Sequence, residues 1–196
     1  MISKIDICNL ALAHLGQMPI SSLEQEDEQA RRCRLFYEPV RREVLRTHNW
    51  QFANTQTKLA LVETNLQGMR PEYTYAYPPD CLFLRKVCAR SNPDQAVEFE
   101  ELYRKDIPGR VIVCGAANAL AFYTRDVSDT TIFDPAFVKA FSLALAADLA
   151  VTLTGDLNLA QRIFQKYSLS LEEARRSNMT ENFEIHQAKS TFAESR

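Results

Sequence analysis

The common signatures of enzyme and cofactor chemistry are missing. The 196 residues contain no GxGxxG or GxxxxGKS/T phosphate loop, no HExxH zinc helix and no GxSxG nucleophile elbow. Only three histidines occur, His14, His48 and His186, on unrelated stretches. The five cysteines, Cys8, Cys33, Cys81, Cys88 and Cys114, show no CxxC spacing, so no finger-like zinc set is expected. Their odd number, with no signal peptide in the opening Met-Ile-Ser-Lys-Ile-Asp, fits free thiols in a reducing compartment. Neither a metal nor a cofactor is expected. Positive charge is also not in surplus. A net charge of −2 argues against a protein that grips nucleic acid phosphates, while allowing a surface that DNA merely passes.

What is present is one long apolar stretch around which the chain is organised. Asp134 is a candidate N-cap, Pro135 suits the first helical position, and Gly155 suits a left-handed C-cap. A helix between them is a rod about 30 Å long. Phe137, Val138, Phe141, Leu145 and Leu149 form a bulky stripe, with alanines and Leu143 elsewhere, so burial on more than one side is expected. Lys139 and Asp148 speak against a membrane span, at about 2.5–3.5 kcal/mol each at mid-bilayer. Asp148 lies beside Phe137 and Phe141 on the wheel and is expected to meet an arginine from another helix or subunit.

Before this stretch, Ser3 to Leu15 predicts a helix with a Ser3–Asp6 capping box, ended by Gly16 and Pro19. Ile5, Cys8, Leu12 and Leu15 make one face, and Ile7, Leu10 and His14 a second. Ser22 to about His48 predicts the next helix. Its apolar stripe is Ala30, Cys33, Phe36, Tyr37, Val40 and Val44, and Pro39 should kink or split it. Its other face carries Arg31, Arg32, Arg34, Arg41, Arg42 and Arg46, read as a solvated or subunit-facing surface rather than a nucleic acid patch. His48-Asn-Trp50-Gln-Phe52-Ala then reads as an extended plug of the core.

From residue 54 the pattern turns irregular, with Thr57 to Val62 reading as a short strand or a turn of helix. Tyr73, Tyr75 and Tyr77 alternate and read as an exposed edge strand or loop, closed by Pro78-Pro79-Asp80. Cys81–Cys88 and Val97–Tyr103 read as strands, and 110–114 with 118–124 as a hairpin. After Gly155, Asp156 should cap a helix whose stripe is Leu159, Ile163, Phe164, Tyr167, Leu171 and Ala174. From about Ser177 the periodicity fades. Phe183, Ile185 and Phe192 remain as apolar beads that could anchor an arm on a partner.

The fold class expected is α+β, mainly α: a bundle of about four helices with a small inserted antiparallel β-sheet and an extended C-terminal arm. The domains expected are a bundle of 1–53 with 134–177, a β-rich insertion over 54–133, and the arm over 178–196.

Several stretches together carry a resemblance. They are Ile7-Cys-Asn-Leu-Ala-Leu-Ala-His-Leu-Gly16 with Pro19-Ile-Ser-Ser-Leu23, the 30–52 helix ending in Asn-Trp-Gln-Phe, and Tyr75-Ala-Tyr-Pro-Pro-Asp-Cys-Leu82. Tyr123-Thr-Arg-Asp126 and Asp134-Pro-Ala-Phe137 running into Leu145 to Gly155 complete the set. In this order they resemble the head-to-tail adaptors of tailed bacteriophages, called tail tubular protein A in short-tailed phages. The resemblance covers roughly residues 5 to 175 and rests on the ordered set, not on one motif.

It implies a structural virion protein without enzymatic activity, assembled in the host cytoplasm and located at the head–tail junction. It implies a homo-oligomeric ring, commonly of twelve copies, beneath the portal protein. The tail nozzle protein lies on its far side, tail fibres are a further partner, and DNA passes through the lumen without specific binding. A C-terminal arm would reach the portal, with Phe183, Ile185, His186, Phe192 and Arg196 as its candidate contacts. Arg41, Arg42, Trp50, Phe52 and Asp148 are candidates for subunit or core contacts. Two alternatives compete. One is a peptidoglycan-degrading or other tail-associated hydrolase built around Asp148 or Glu100; one relative of the broad family is described so, but no recognisable catalytic pair is present here. The other is a DNA-binding regulator using the arginine face of residues 31–46.

Overall fold

Ser3 opens the first helix as its neighbours dictate. In α1 (Lys4–His14) the Ser3 hydroxyl accepts the Asp6 N–H at 3.1 Å and the Asp6 carboxylate accepts the Ser3 N–H at 2.8 Å. A computed structural model describes residues 2–65, 72–105 and 109–187 of the chain. The helix ends at Gly16, whose φ of +66° lets the N–H groups of Gly16 and Gln17 turn back to Ala13 and Leu12. The first expected apolar face is covered, and of the second only Ile7. Ile7, Cys8, Ala11 and Leu12 are buried, while Leu10 and His14 are exposed.

The second helix starts later than expected. Ser21 and Gln25 bond each other in a turn before it, and α2 (Glu28–Thr47) is capped by Asp27, which accepts the Ala30 N–H at 2.7 Å. Pro39 does not split it. The bond its missing N–H forgoes would end at Leu35, whose 61% exposure places that turn against water.

Asp134 and Pro135 start α3 (Pro135–Thr154), and Gly155 closes it at φ +69°. Eleven of its residues are buried, on nearly every side. It is long and apolar enough to cross a bilayer by composition, but its apolar surface is taken up inside the fold: it packs against α1 and α4, and Phe141 meets the Tyr37 ring at 5.0 Å. Asp156 caps α4 (Leu157–Gln187), accepting the N–H groups of Asn158 and Leu159. The buried stripe of α4 is Ile163, Tyr167, Ser170, Leu171 and Ala174, whereas Phe164 is 58% exposed rather than part of it.

The chain divides into two units, one formed by the stretches up to Val44 and from Asp129 onward, the other by Leu45–Ser128. All four α-helices described above draw on the first. The second holds two four-stranded antiparallel sheets, which correct the expectation of one small inserted sheet in a mainly helical protein. Its strands are β1 (Asn54–Lys58), β2 (Leu61–Asn65), β3 (Glu72–Ala76), β4 (Cys81–Ala89), β5 (Asn92–Ala96), β6 (Phe99–Tyr103), β7 (Arg110–Cys114) and β8 (Ala119–Arg125). One sheet runs β1-β8-β4-β5 and the other β2-β3-β7-β6. Three of the four outermost strands, β1, β2 and β5, are polar and largely exposed. An edge strand needs backbone partners on one side and no apolar alternation, which is why Thr57 to Val62 suggested at most one short strand or helical turn where β1 and β2 lie, and β5 gave no strand signal.

Two pairings are also corrected. β7 and β8 do not form a hairpin; they lie in different sheets, and the chain crosses over through Gly115–Asn118, where Asn118 adopts φ +52°. β3 is not an edge strand: it lies between β2 and β7, with Tyr75 1% exposed. The sheets meet through Tyr75, Ile112 and Cys114 on one side and Leu84, Val87, Ala121 and Tyr123 on the other.

Over residues 178–187 the expected extended arm is helical instead. The backbone stays helical through Phe183, Ile185 and His186 to Gln187. No glycine or proline occurs between Leu157 and Gln187, so loss of apolar periodicity alone does not end the helix. Phe192 and Arg196 lie outside the described residues.

Candidate functional site

Among the described residues no group of three or more His, Cys, Asp or Glu side chains could hold a metal ion. All five cysteines are free and buried. The neighbouring Cys33 thiol and burial push the Cys8 thiol far up, while Cys8 holds Cys33 below its usual range against the opposing effect of burial. His14 is held below its usual range by burial and by Lys166, and His48 packs edge-on against Trp50 at 4.7 Å.

Of the residues singled out in the sequence, Arg41 is the most deeply set. It is 2% exposed on α2 and reaches Glu38 at 2.8 Å; Lys4 meets the other oxygen of the same carboxylate at 3.0 Å. Burial opposes ionisation of Glu38, but the bonds from Lys4 and Arg41 outweigh it and hold the carboxyl below its usual range. Arg42 is exposed on the same helix. Trp50 is buried in the second unit, with the half-buried Phe52 ring 6.5 Å away; Gln51–Ala53 form a single 3₁₀ turn, not an extended plug.

No arginine among the described residues of the same chain meets Asp148. It is exposed on α3, and among the described residues no hydrogen bond or ion pair reaches it. Partial burial and the nearby Glu43 raise its carboxyl above the usual range. The wheel placed it beside Phe137 and Phe141, but it sits where the α3 surface opens.

The arginine face of α2 is largely spent on local structure. Arg31 and Arg34 donate to the carbonyls of Glu26 and Leu23 at 3.0 Å, and Arg32 pairs with Glu28 at 2.6 Å. Arg46 donates to the Leu82 carbonyl at 3.0 Å and lies over Phe83. Arg85, unremarked in the sequence, closes the same helix end. Its guanidinium donates to the carbonyls of Arg46 and His48 at 2.9 Å and to Thr124 at 3.0 Å, where burial and Arg46 hold it below its usual range.

A groove of about 920 Å³ lies over β2-β3-β7-β6, lined by Glu63, Glu72, Glu98 and Glu100 around Val97, Leu102 and Val113. Register aligns Glu63, Thr74, Val113 and Glu100 in one row across the sheet. Arg104 pairs with Glu63; no partner among the described residues meets Glu72, Glu98 or Glu100. The signal was the alternation Val97, Phe99 against Glu98, Glu100, which places the acids on one face once the strand is accepted.

Compared with models of protein families the chain matches none, and it matches no curated protein either.

Proposed function

We propose that the chain is a structural protein of a tailed-phage virion, forming a ring that joins the portal to the tail nozzle and gives DNA a passage. The observation that carries this reading is the ordered set of adaptor-like stretches, each of which falls at a defining point of the fold. Ile7–Gly16 is α1 with its cap, and Asn-Trp-Gln-Phe is the exit of α2. Tyr75–Leu82 joins β3 to β4, Tyr123–Asp126 ends β8, and Asp134–Gly155 is α3 with both caps. Segments that set strand crossings and helix ends are what a shared fold must keep.

The C-terminal segment is the proposed portal contact. Lys139 bonds Glu173 at 2.8 Å, so α4 runs back along α3 and reaches the level of Pro135 near Ser177. Residues 178–187 extend beyond that level, about 15 Å of helix, and with 188–196 carry Phe183, Ile185, His186, Phe192 and Arg196.

The test is the mass of the complex formed when the full chain is mixed with the portal protein of its own phage, with and without residues 178–196. A ring-sized complex that requires the segment supports the reading. A monomer that ignores the portal in both forms overturns it.

A further inference from the structure

The two sheets of the second unit differ in the charge of their strands. In the first, β1, β4 and β8 contain Lys58, Arg85, Lys86 and Arg125, and β5 adds Asp94. In the second, β2, β3 and β6 contain Glu63, Glu72, Glu100 and Glu101, and β7 adds Arg110, which pairs with Glu101. Register resolves the faces. Gln56, Phe122 and Lys86 align in one row on the side of the first sheet turned away from Ala121 and Val87, with Lys58 two residues on from Gln56. Arg85 and Lys86 donate to neutral carbonyls, those holding Lys86 being Pro93 and Asp94, and among the described residues no carboxylate meets Lys58, Arg85 or Lys86. On the second sheet, Glu72, Glu98 and Glu100 rim the groove above Leu102 and Val113 without compensation.

Since the sheets share one core, these outer faces point away from each other and cannot neutralise one another within one chain. A second copy can do so. We infer that the β-unit associates back to front, the Lys58–Lys86 face of one copy seated on the glutamate groove of the next. Such a contact joins two different surfaces, so it leaves one of each unused at the ends and continues until a ring closes. The apolar floor with a charged rim on one side and Phe122 with its lysines on the other match the usual arrangement of an interface. This inference rests on the ring reading above and specifies one of its contacts.

The experiment uses full-length chain, alone and on its portal, with the mass of the assembly as readout. Gln56→Glu with Lys58→Glu reverses one face, and Glu98→Lys with Glu100→Lys the other. Gln56, Lys58, Glu98 and Glu100 are exposed with no partner among the described residues, so the unfolding midpoint of each variant should match wild type. Each variant alone is expected to associate at least about tenfold more weakly, the order of effect for close like charges at an interface. Mixed one to one they should regain the wild-type mass, because every contact in an alternating assembly again joins opposite signs. A ring that forms normally with either variant alone overturns this contact while leaving the adaptor reading intact, and so does loss in both without recovery on mixing. A wild-type chain that never assembles, even on the portal, overturns both.

Discussion

The Tyr75 hydroxyl donates to the carbonyl oxygen of Ala116 at 2.7 Å, from the middle of one sheet into the crossover that leads to the other. The Tyr75 hydroxyl oxygen in turn accepts the Ala119 N–H at 3.3 Å, so one buried phenol serves both ends of the β7–β8 crossover. Tyr75→Phe keeps the ring and strands both backbone groups. A buried polar group left without a partner costs about 1–3 kcal/mol. The variant should lower the denaturant midpoint by that order with an unchanged slope, and a midpoint equal to wild type would show that water replaces the hydroxyl.

Asp148 gives a prediction of opposite sign. Burial and Glu43 raise its folded pKa above the usual value near 3.8, so ionisation costs the fold stability. The contribution of the protonated acid is present below that usual value and is lost as pH rises through the folded pKa. Asp148→Asn should therefore raise the melting temperature of the isolated chain at neutral pH, and the gain should vanish below about pH 4. Helix propensities of the two residues are close, so they do not confuse the comparison. If a neighbouring copy supplies a cation at this position, the same substitution will weaken the assembly while stabilising the monomer.

The helical unit was largely legible because its signals are local. Ser3 with Asp6, Asp134 with Pro135, and Gly155 with Asp156 each fix a boundary within a few residues, and the α3 stripe is apolar throughout. The sheets were half legible. Cys81–Ala89 announces itself, but Asn54–Lys58 and Asn92–Ala96 are strands only because β8 and β4 offer them backbone partners. The crossover between β7 and β8 mimics a hairpin, since Gly115 to Asn118 is the length of a tight turn. The charged faces were the least legible, because they depend on which strands share a sheet. Glu72 and Glu100 are 28 positions apart and meet at one groove only through β3-β7-β6.

Glu38 sets an acid limit for the first unit. Its folded pKa is lowered, so its ion pairs add stability above the unfolded value near 4.5, and that addition is lost as pH falls through the folded value. The carboxylate is nearly half exposed, so the gain should be under about 1 kcal/mol at neutral pH. Glu38→Gln should melt slightly below wild type at pH 7, and the two curves should converge as pH falls below the folded value. A difference that does not shrink as the pH is lowered would assign the effect to packing around Arg41 rather than to charge.

The α3–α4 connection turns on Gly155, and two substitutions separate its possible reasons. At φ +69° an L side chain meets its own backbone, which costs about 1–2 kcal/mol. A Cβ built there has no atom within 4 Å, so crowding by neighbours contributes nothing. Gly155→Ala should therefore destabilise by about 1 kcal/mol, read as a shift in the unfolding midpoint. Asparagine adopts the left-handed region more readily, so Gly155→Asn should cost less despite its larger side chain. The reverse order, with asparagine worse than alanine, would mean that space rather than backbone conformation selects glycine here. It would also place a neighbouring surface over the start of α4 in the state being measured, which the same pair of variants could then locate by repeating the melt in the assembled ring.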